Sequence, residues 1–428
     1  MKYVVAVNGS RGDVQPAVAL GIELAGRGHT VTMLVPPDLT GFAAATGLPT
    51  QPYGESTREV LVSELVRDRM QSRNPVVRLR AVTELSIRGG RSMQQHLLEA
   101  TEDADAIIAG SVGQERAHNV ARVRRIPHIP LHLCPLRRNG STSLLTHFGI
   151  TAPAPVARES WRAVEWLLWC GGRSAEATLA AELGLTAVRA PFATQIAATG
   201  VPEIQAYDPV LFPQLPVEWR ARRPLVGFFT LPGAHRAGVG DLSDPDLDDW
   251  ITNGPEPVYV GFGSMMPTNT EHLADAFRSA AEQMDLRLLV SGGWSGFMSG
   301  IDDDRVRVVG HIDHDAVLPR CAAAVHHGGA GSVAAGLRAG IPTVVTWVGA
   351  DQPIWGDAVA RSHVGSSFPM ARVDSARLVA ALRHALDEKT RRTASDLSAR
   401  LVDPEHAVAA AATIAEQVTD EWSRQHSV

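Results

Sequence analysis

Four short stretches of the chain gather side chains able to do chemistry. The first is HHGGAGSVAAGLRAGIPTVV, residues 326–345, where an apolar run ends in two histidines followed by Gly328, Gly329, Gly331 and Ser332. Backbone N–H groups in such a loop, backed by the helix that follows, suit a diphosphate. His327 and Ser332 would add hydrogen bonds; the alternative for His327 is a satisfied buried histidine. No GK[ST] follows, so this is not a Walker loop. The second, VYVGFGSMM at 258–266, runs a buried strand into Gly261, Gly263 and Ser264, either a phosphate loop or a tight turn needing positive φ. The third, NGSRGDVQP at 8–16, presents Ser10, Arg11 and Asp13 at a strand end that leads into a helix. Asp13 reads as a helix cap or as a general base, and Arg11 as an anion ligand or a surface ion pair. The fourth, TWVGADQPIWGDA, places Asp351 and Gln352 after a strand. An adjacent carboxylate and amide suit sugar hydroxyls, and a helix N-cap is the alternative.

The elements that must hold these groups follow from apolar spacing. Tyr3–Val7 is a continuous apolar run, Gly9–Gly12 reads as a turn, and Val14 to Leu24 recur at helical spacing. Thr30–Val35 is a second strand, so residues 3–35 form one βαβ unit and predict a parallel sheet. Further strands are predicted at 106–109, 128–133, 257–261, 286–291, 306–309, 323–326 and 343–347, alternating with helices. Residues from 374 onward read as largely helical. The expected fold class is α/β, with two doubly wound Rossmann-like domains facing across a cleft. Expected boundaries are 1–225, a Gly-, Asp- and Pro-rich linker at 226–255, and 256–428. Ligands bind beyond the carboxyl ends of such strands, so the shared cleft is the expected site.

Composition narrows the partners. Forty Lys and Arg against 46 Asp and Glu leave a net charge of −6, and no basic surplus points to nucleic acid. The basic run Arg122–Arg125 is too short to change that. Cys134, Cys170 and Cys321 lie far apart, which fits a reducing compartment rather than a disulfide scaffold or zinc ribbon. The N-terminal run reads as a strand, not a signal peptide, and no apolar run reaches about 18 residues, so no membrane-spanning segment is expected. Asp302, Asp303 and Asp304 lack a histidine or a spaced carboxylate partner, so no metal is expected. Trp161, Trp166 and Trp169 recur in WRAVEWLLWC, as a packed helix face or as an apolar wall for a bulky ligand.

HHGGAGS followed by DQ, with the N-terminal GSRGDVQP, resembles the inverting GT-B glycosyltransferases of family 1. The likeness is to the bacterial branch acting on antibiotics and glycolipids and to sterol glucosyltransferases with a GSRGD-type start. It extends over essentially the whole chain, including EIQAYDPVLFPQLP at 203–216. The resemblance implies Asp13 as general base, with Ser10 and Arg11 near the donor diphosphate. It implies Gly263 and Ser264 at the nucleotide phosphates, His327, Gly329, Gly331 and Ser332 at the diphosphate, and Asp351 and Gln352 on the sugar. His311 and Ile312 would lie against the base. Two departures stand out. Many relatives carry tryptophan at the position of His311, and plant relatives carry a ribose-binding glutamate where this chain has Ala335. The second leans toward a dTDP-sugar over a UDP-sugar.

The expectation is therefore a nucleotide-sugar-dependent transferase with no cofactor and no metal. It would be cytoplasmic, a monomer or homodimer, and peripheral at the membrane if its acceptor is a lipid. The acceptor would be hydrophobic, bound by the N-terminal half near 50–95 and 135–175, with Trp161 and Trp166 as candidate contacts. Competing readings are a GT-B nucleotide-sugar epimerase and a non-catalytic binder. A Rossmann oxidoreductase is disfavoured because GSRGD replaces GxGxxG after the first strand.

Overall fold

A computed structural model describes residues 1–56, 75–143, 145, 150, 152–186, 188–236, 245–263, 270–293, 296–301, 304–310 and 312–426. Ser264, His311, Asp302 and Asp303 lie outside the described residues.

Two six-stranded parallel sheets organise the chain. The first contains β1 (Lys2–Ala6), β2 (Thr30–Val35), β3 (Thr50–Pro52), β4 (Ala106–Ala109), β5 (His128–His132) and β6 (Ile204–Gln205), in the order β3-β2-β1-β4-β5-β6. The second contains β7 (Val258–Gly261), β8 (Leu288–Ser291), β9 (Val306–Val309), β10 (Ala323–His326), β11 (Thr343–Trp347) and β12 (Gly365–Pro369), in the order β12-β11-β10-β7-β8-β9. Read from β7, this is the same doubly wound order. In each sheet the direction of winding reverses beside the first strand, between β1 and β4 and between β7 and β10. Those reversals open a crevice at the carboxyl ends, where the first and third chemical stretches emerge.

The central strands form because their residues are apolar on both faces. Val4, Val5, Ile107, Ile108, Val260 and Val325 are each almost fully buried, as helices on both sides of a parallel sheet require. β3, β6 and β12 are additions to the predicted set. They are edge strands, short or polar (TQP, IQ, GSSFP), with too few apolar residues to show as strands alone.

The helices that bear on the site are α1 (Arg11–Gly26), α2 (Ala154–Glu182), α3 (Ala330–Arg338), α4 (Gln352–Arg361) and α5 (Pro404–His426). α1 begins at Arg11, so Gly12 belongs to the helix and the predicted Gly9–Gly12 turn is shorter than expected. α3 begins at Ala330, so Gly331 and Ser332 also occupy a first helical turn.

α5 returns to the first sheet. Its Ala407, Ala411, Ala412 and Ala415 are buried in one core with Val5, Val18 and Leu20, small side chains that let two helices approach closely. Arg27 locks this contact, donating to Glu416 at 2.9 Å and to the Ala409 carbonyl at 2.9 Å. Val226, Phe229 and Leu231 join that same core, and Leu247 and Ile251 pack in a satellite of the second half. Among the described residues, no helix is long and apolar enough to cross a membrane.

Candidate active site

The loop after β1 is shaped around one carboxylate. Asp13 Oδ2 accepts from the Ser10 backbone N–H at 2.8 Å and from the Ser10 hydroxyl at 3.1 Å. Asp13 is thus not the N-cap itself, which is Ser10, but the third helical residue of a capping box that ties down the helix start. Gly9 lies at φ +135°, and a Cβ there would fall 2.3 Å from Asp13 Oδ2, so only glycine lets the backbone pass the carboxylate. Burial raises the Asp13 pKa to about 6; the Ser10 hydrogen bonds oppose the rise and the negative charge of Asp351 adds to it. A carboxyl tuned toward neutrality in a crevice has the properties of a general base. Arg11 is turned along its own helix. It donates to Gln15 Oε1 at 3.0 Å and its guanidinium lies 4.8 Å from the centre of the Phe42 ring.

The loop after β10 faces it. His326 Nδ1 accepts from the Gly328 N–H at 3.0 Å, which places the ring proton on Nε2. His327 is wedged between two glycines. A Cβ on Gly263 would meet its Cε1 at 3.2 Å, and one on Gly329 would meet its Nε2 at 2.6 Å. Burial lowers the His327 pKa to about 4, while the nearby Gly261 backbone favours the charged form without prevailing. The ring is therefore neutral at pH 7, and among the described residues its Nδ1 is buried with no hydrogen-bond partner. Gly331 sits where a Cβ would come 4.0 Å from the Gly12 Cα. The N-termini of α1 and α3, one from each sheet, therefore meet at the crevice and concentrate positive helix-dipole potential there.

The third wall is the start of α4. Asp351 follows Ala350, a non-glycine residue at φ +56°, the kind of backbone strain that persists where the surrounding structure imposes it. Asp351 Oδ2 accepts from the Trp355 indole N–H at 2.9 Å. Gln352 is buried and braces the loop: its Oε1 accepts from the backbone N–H of Val348 at 2.8 Å and of Gly349 at 3.3 Å.

Asp13, His327, Gly329, Gly331, Asp351 and Gln352 thus emerge from facing strand ends. Gly263 joins them beside His327, and Ser332 occupies the first turn of α3. Ile312 is packed in a cluster with Leu289 and Leu318. Trp161 is only 3% exposed, with its indole N–H on the Thr142 carbonyl at 2.9 Å, so it presents little surface to a ligand; Trp166 is 54% exposed. Among the described residues, no group of three or more His, Cys, Asp and Glu side chains is arranged to hold a metal ion.

Two residues enter the site unannounced by the sequence pattern. Cys134 follows β5 and is buried; desolvation raises its thiol pKa well above the ordinary value, and Asp351, to which it also hydrogen-bonds, and Asp13 raise it further. Trp355 holds Asp351. Position just beyond a central strand's carboxyl end is the signal that could have found Cys134. The DQPIW spacing, which puts Trp355 one helical turn after Asp351, could have found the other.

Comparison with known proteins gives these features a context. Residues 3–110 match the profile of the glycosyltransferase family 28 N-terminal domain, and residues 298–419 match that of the erythromycin biosynthesis protein CIII-like C-terminal domain. An uncharacterized glycosyltransferase of Mycobacterium tuberculosis is 36% identical over 417 residues, 97% of this chain and 98% of that protein. A sterol 3-beta-glucosyltransferase of Arabidopsis thaliana is 30% identical over 423 residues, 94% of this chain but 63% of the longer plant protein. Among solved structures, the glycotransferase of kitacinnamycin superposes with a TM-score of 0.72 at 20% identity, covering 98% of this chain and 99% of that one. The glycosyltransferase VinC in complex with dTDP superposes with a TM-score of 0.63 at 18% identity, covering 98% of this chain and 100% of that one.

Proposed function

The chain belongs to the GT-B glycosyltransferases of the family 28 and EryCIII-like type, and on that premise we propose that it is an inverting, metal-independent enzyme of family 1 character. It moves a sugar from a nucleoside-diphosphate donor to a hydroxyl of a hydrophobic natural-product or lipid acceptor. The observation that carries the reading is the confrontation of one tuned carboxylate, Asp13, with a helix start and a buried His327 on the opposite sheet, whose Nδ1 has no partner among the described residues.

In the proposed reaction the donor diphosphate lies over the first turn of α3. As the anomeric carbon–oxygen bond breaks, charge grows on the leaving phosphate. Backbone N–H groups at 329–332, the Ser332 hydroxyl and His327 stabilise it. The neutral imidazole acts there as a hydrogen-bond donor rather than as a cation. Asp13 takes the proton from the acceptor hydroxyl as the new bond forms on the opposite face, and a single displacement inverts the anomeric centre. Asp351 and Gln352 orient the sugar, and Gly263 and Ile312 are assigned to the nucleotide; Ser264 and His311 are assigned to it by the sequence resemblance alone. Ser10 and Arg11 border the diphosphate from the first half.

A dTDP-sugar is the first expectation, supported by Ala335 where a ribose-binding glutamate would stand and by the dTDP complex of a protein with the same fold. An apolar acceptor is supported by the sterol glucosyltransferase relatives and by Trp166, Leu167 and Leu168, which α2 leaves exposed on the first half. The division into 1–225, 226–255 and 256–428 assigns the acceptor to the first part and the donor to the last.

Calorimetry with dTDP and UDP, followed by a turnover screen over their sugars with and without hydrophobic alcohols, tests the reading. Acceptor-dependent release of nucleotide with an inverted glycoside, unchanged by EDTA, is the expected result. Release of a C2-epimerised free sugar would replace transfer with epimerisation, and binding without turnover of any sugar would reduce the protein to a binder.

Gly329 supplies a sharper check on the donor loop. A Gly329→Ala methyl would crowd His327 Nε2, so the ring must tilt. We expect about 10-fold weaker nucleoside-diphosphate binding, the scale of one hydrogen bond to a charged group. Titration calorimetry reads it, and affinity equal to the parent's would remove His327 from the donor site.

A further inference from the structure

Asp351 owes its orientation to a residue that itself lies in the contact between the two halves of the chain. The Trp355 ring is fully buried. Tyr207 meets it at a centroid distance of 5.9 Å, Phe212 at 5.5 Å and Phe228 at 5.9 Å. Tyr207 and Phe212 follow β6, the last strand of the first sheet, while Trp355 rides on α4 between β11 and β12 of the second. Aromatic edges from one half therefore grip an indole from the other.

The cage is itself anchored. Tyr207 OH donates to Gln205 Oε1 at 2.8 Å, and Gln205 Nε2 meets His132 Nδ1 at 3.1 Å and the Glu203 carbonyl at 2.9 Å. With the ring immobilised, its one polar group can point in one direction only. That group donates to Asp351 Oδ2 and so fixes the plane of the carboxylate on a strained loop that Gln352 braces from behind.

We propose that Trp355 is a positioning residue for donor-sugar recognition: seated in the aromatic contact between the halves, its indole N–H sets the Asp351 carboxylate to receive the sugar hydroxyls. The proposal rests on the glycosyltransfer reading and adds a specificity device to it. A carboxylate held in one orientation selects hydroxyl configuration, because a misdirected hydroxyl leaves a buried polar group unpaired. A swivelling carboxylate does not.

The test is a double-mutant cycle in the full-length chain with Trp355→Phe and Asp351→Ala, using the nucleotide sugar that the wild type turns over and its C4 epimer. Trp355→Phe keeps an aromatic ring in the cage and deletes the N–H. Expected are an about 10-fold rise in donor KM and a matching loss of preference between the epimers. Affinity for the nucleoside diphosphate alone should stay within about two-fold, because the diphosphate loop is not touched. The Trp355→Phe penalty should vanish in the Asp351→Ala background, where the N–H has no acceptor left to orient. Trp355→His, which returns a ring N–H, should recover part of the epimer preference and serves if the phenylalanine variant does not accumulate.

Unchanged KM and epimer preference in Trp355→Phe would overturn the proposal, as would a penalty that persists in full without the Asp351 carboxylate. A parallel loss of nucleoside-diphosphate affinity would show a packing role instead. If the wild type turns over no nucleotide sugar, the transferase reading fails and this inference with it. If the wild type is active and only the cycle is flat, the inference alone fails.

Discussion

Asp13→Asn should lower the rate of sugar transfer by about 100- to 10,000-fold, the range for removing a general base, while donor affinity stays within about two-fold. The substitution keeps the shape of the side chain, and its carbonyl oxygen can still accept from the Ser10 N–H that Asp13 now engages. The helix start is therefore kept and the carboxylate is lost, which separates the part Asp13 plays in the helix start from its proposed part as base. Steady-state transfer with the donor found by calorimetry, alongside calorimetry of the variant, reads both. A variant with parental turnover would take the base away from Asp13; one with intact turnover per bound donor and weak binding would make it a donor ligand.

The same carboxyl predicts two opposite pH trends. Its pKa is raised from 3.8 to about 6 by burial, so transfer should climb as pH passes through 6 and the base ionises. Stability moves the other way. A carboxyl whose pKa is higher folded than unfolded contributes stability fully below the unfolded value, and that contribution is lost as pH rises through about 6. Asp13→Asn abolishes this loss, so the variant should melt higher than the parent at pH 8 and show no such difference near pH 4. Melting curves at the two values check the sign.

The second large effect concerns stability. Glu203 is 2% exposed and accepts from Arg137 Nε at 2.6 Å and from Arg223 Nε at 2.6 Å. Arg137 also donates to Gln114 Oε1 at 3.0 Å. His132, 3.9 Å from Glu203, is held neutral chiefly by its burial, so the carboxylate compensates the two guanidiniums. Glu203→Ala leaves the buried Arg137 and the partly buried Arg223 without their anion. Breaking a buried pair costs about 3–5 kcal/mol because the remaining charge is uncompensated. The first half should unfold at correspondingly lower urea. Restoring the arrangement with Glu203→Asp should recover part of the loss, and an unchanged midpoint in Glu203→Ala would mean the guanidiniums find water or other anions.

The residues 134–143 between β5 and α2 tie this network to function. Arg137 pins that segment to Glu203, and Cys134 at its start hydrogen-bonds to Asp351 and is electrostatically coupled to Asp13. Damage at Glu203 should reach catalysis through the position of this segment, and part of the activity loss in Glu203→Ala should precede global unfolding.

Local signals made much of the fold readable. The central strands are runs of residues that are apolar on both faces, which a parallel sheet flanked by helices demands, and β2, β4, β10 and β11 begin and end where those runs do. Gly9 and Gly328 are likewise legible, because a backbone passing a side chain within van der Waals distance at positive φ admits no Cβ. The doubly wound class and the strand-end loops follow from such short-range constraints.

Tertiary structure decided the rest. Whether Asp13 is a cap or a poised carboxyl cannot be read from its neighbours in sequence. It is a capping-box residue and a poised carboxyl at once, because burial and the charge of Asp351, which stands on the other sheet, raise its pKa while Ser10 keeps it in place. The edge strands, the place of Cys134 and the aromatic seat of Trp355 were hidden for the same reason. Each depends on the environment supplied by a distant segment, and desolvation, Coulombic coupling and ring packing act through space, where separation along the chain carries no information.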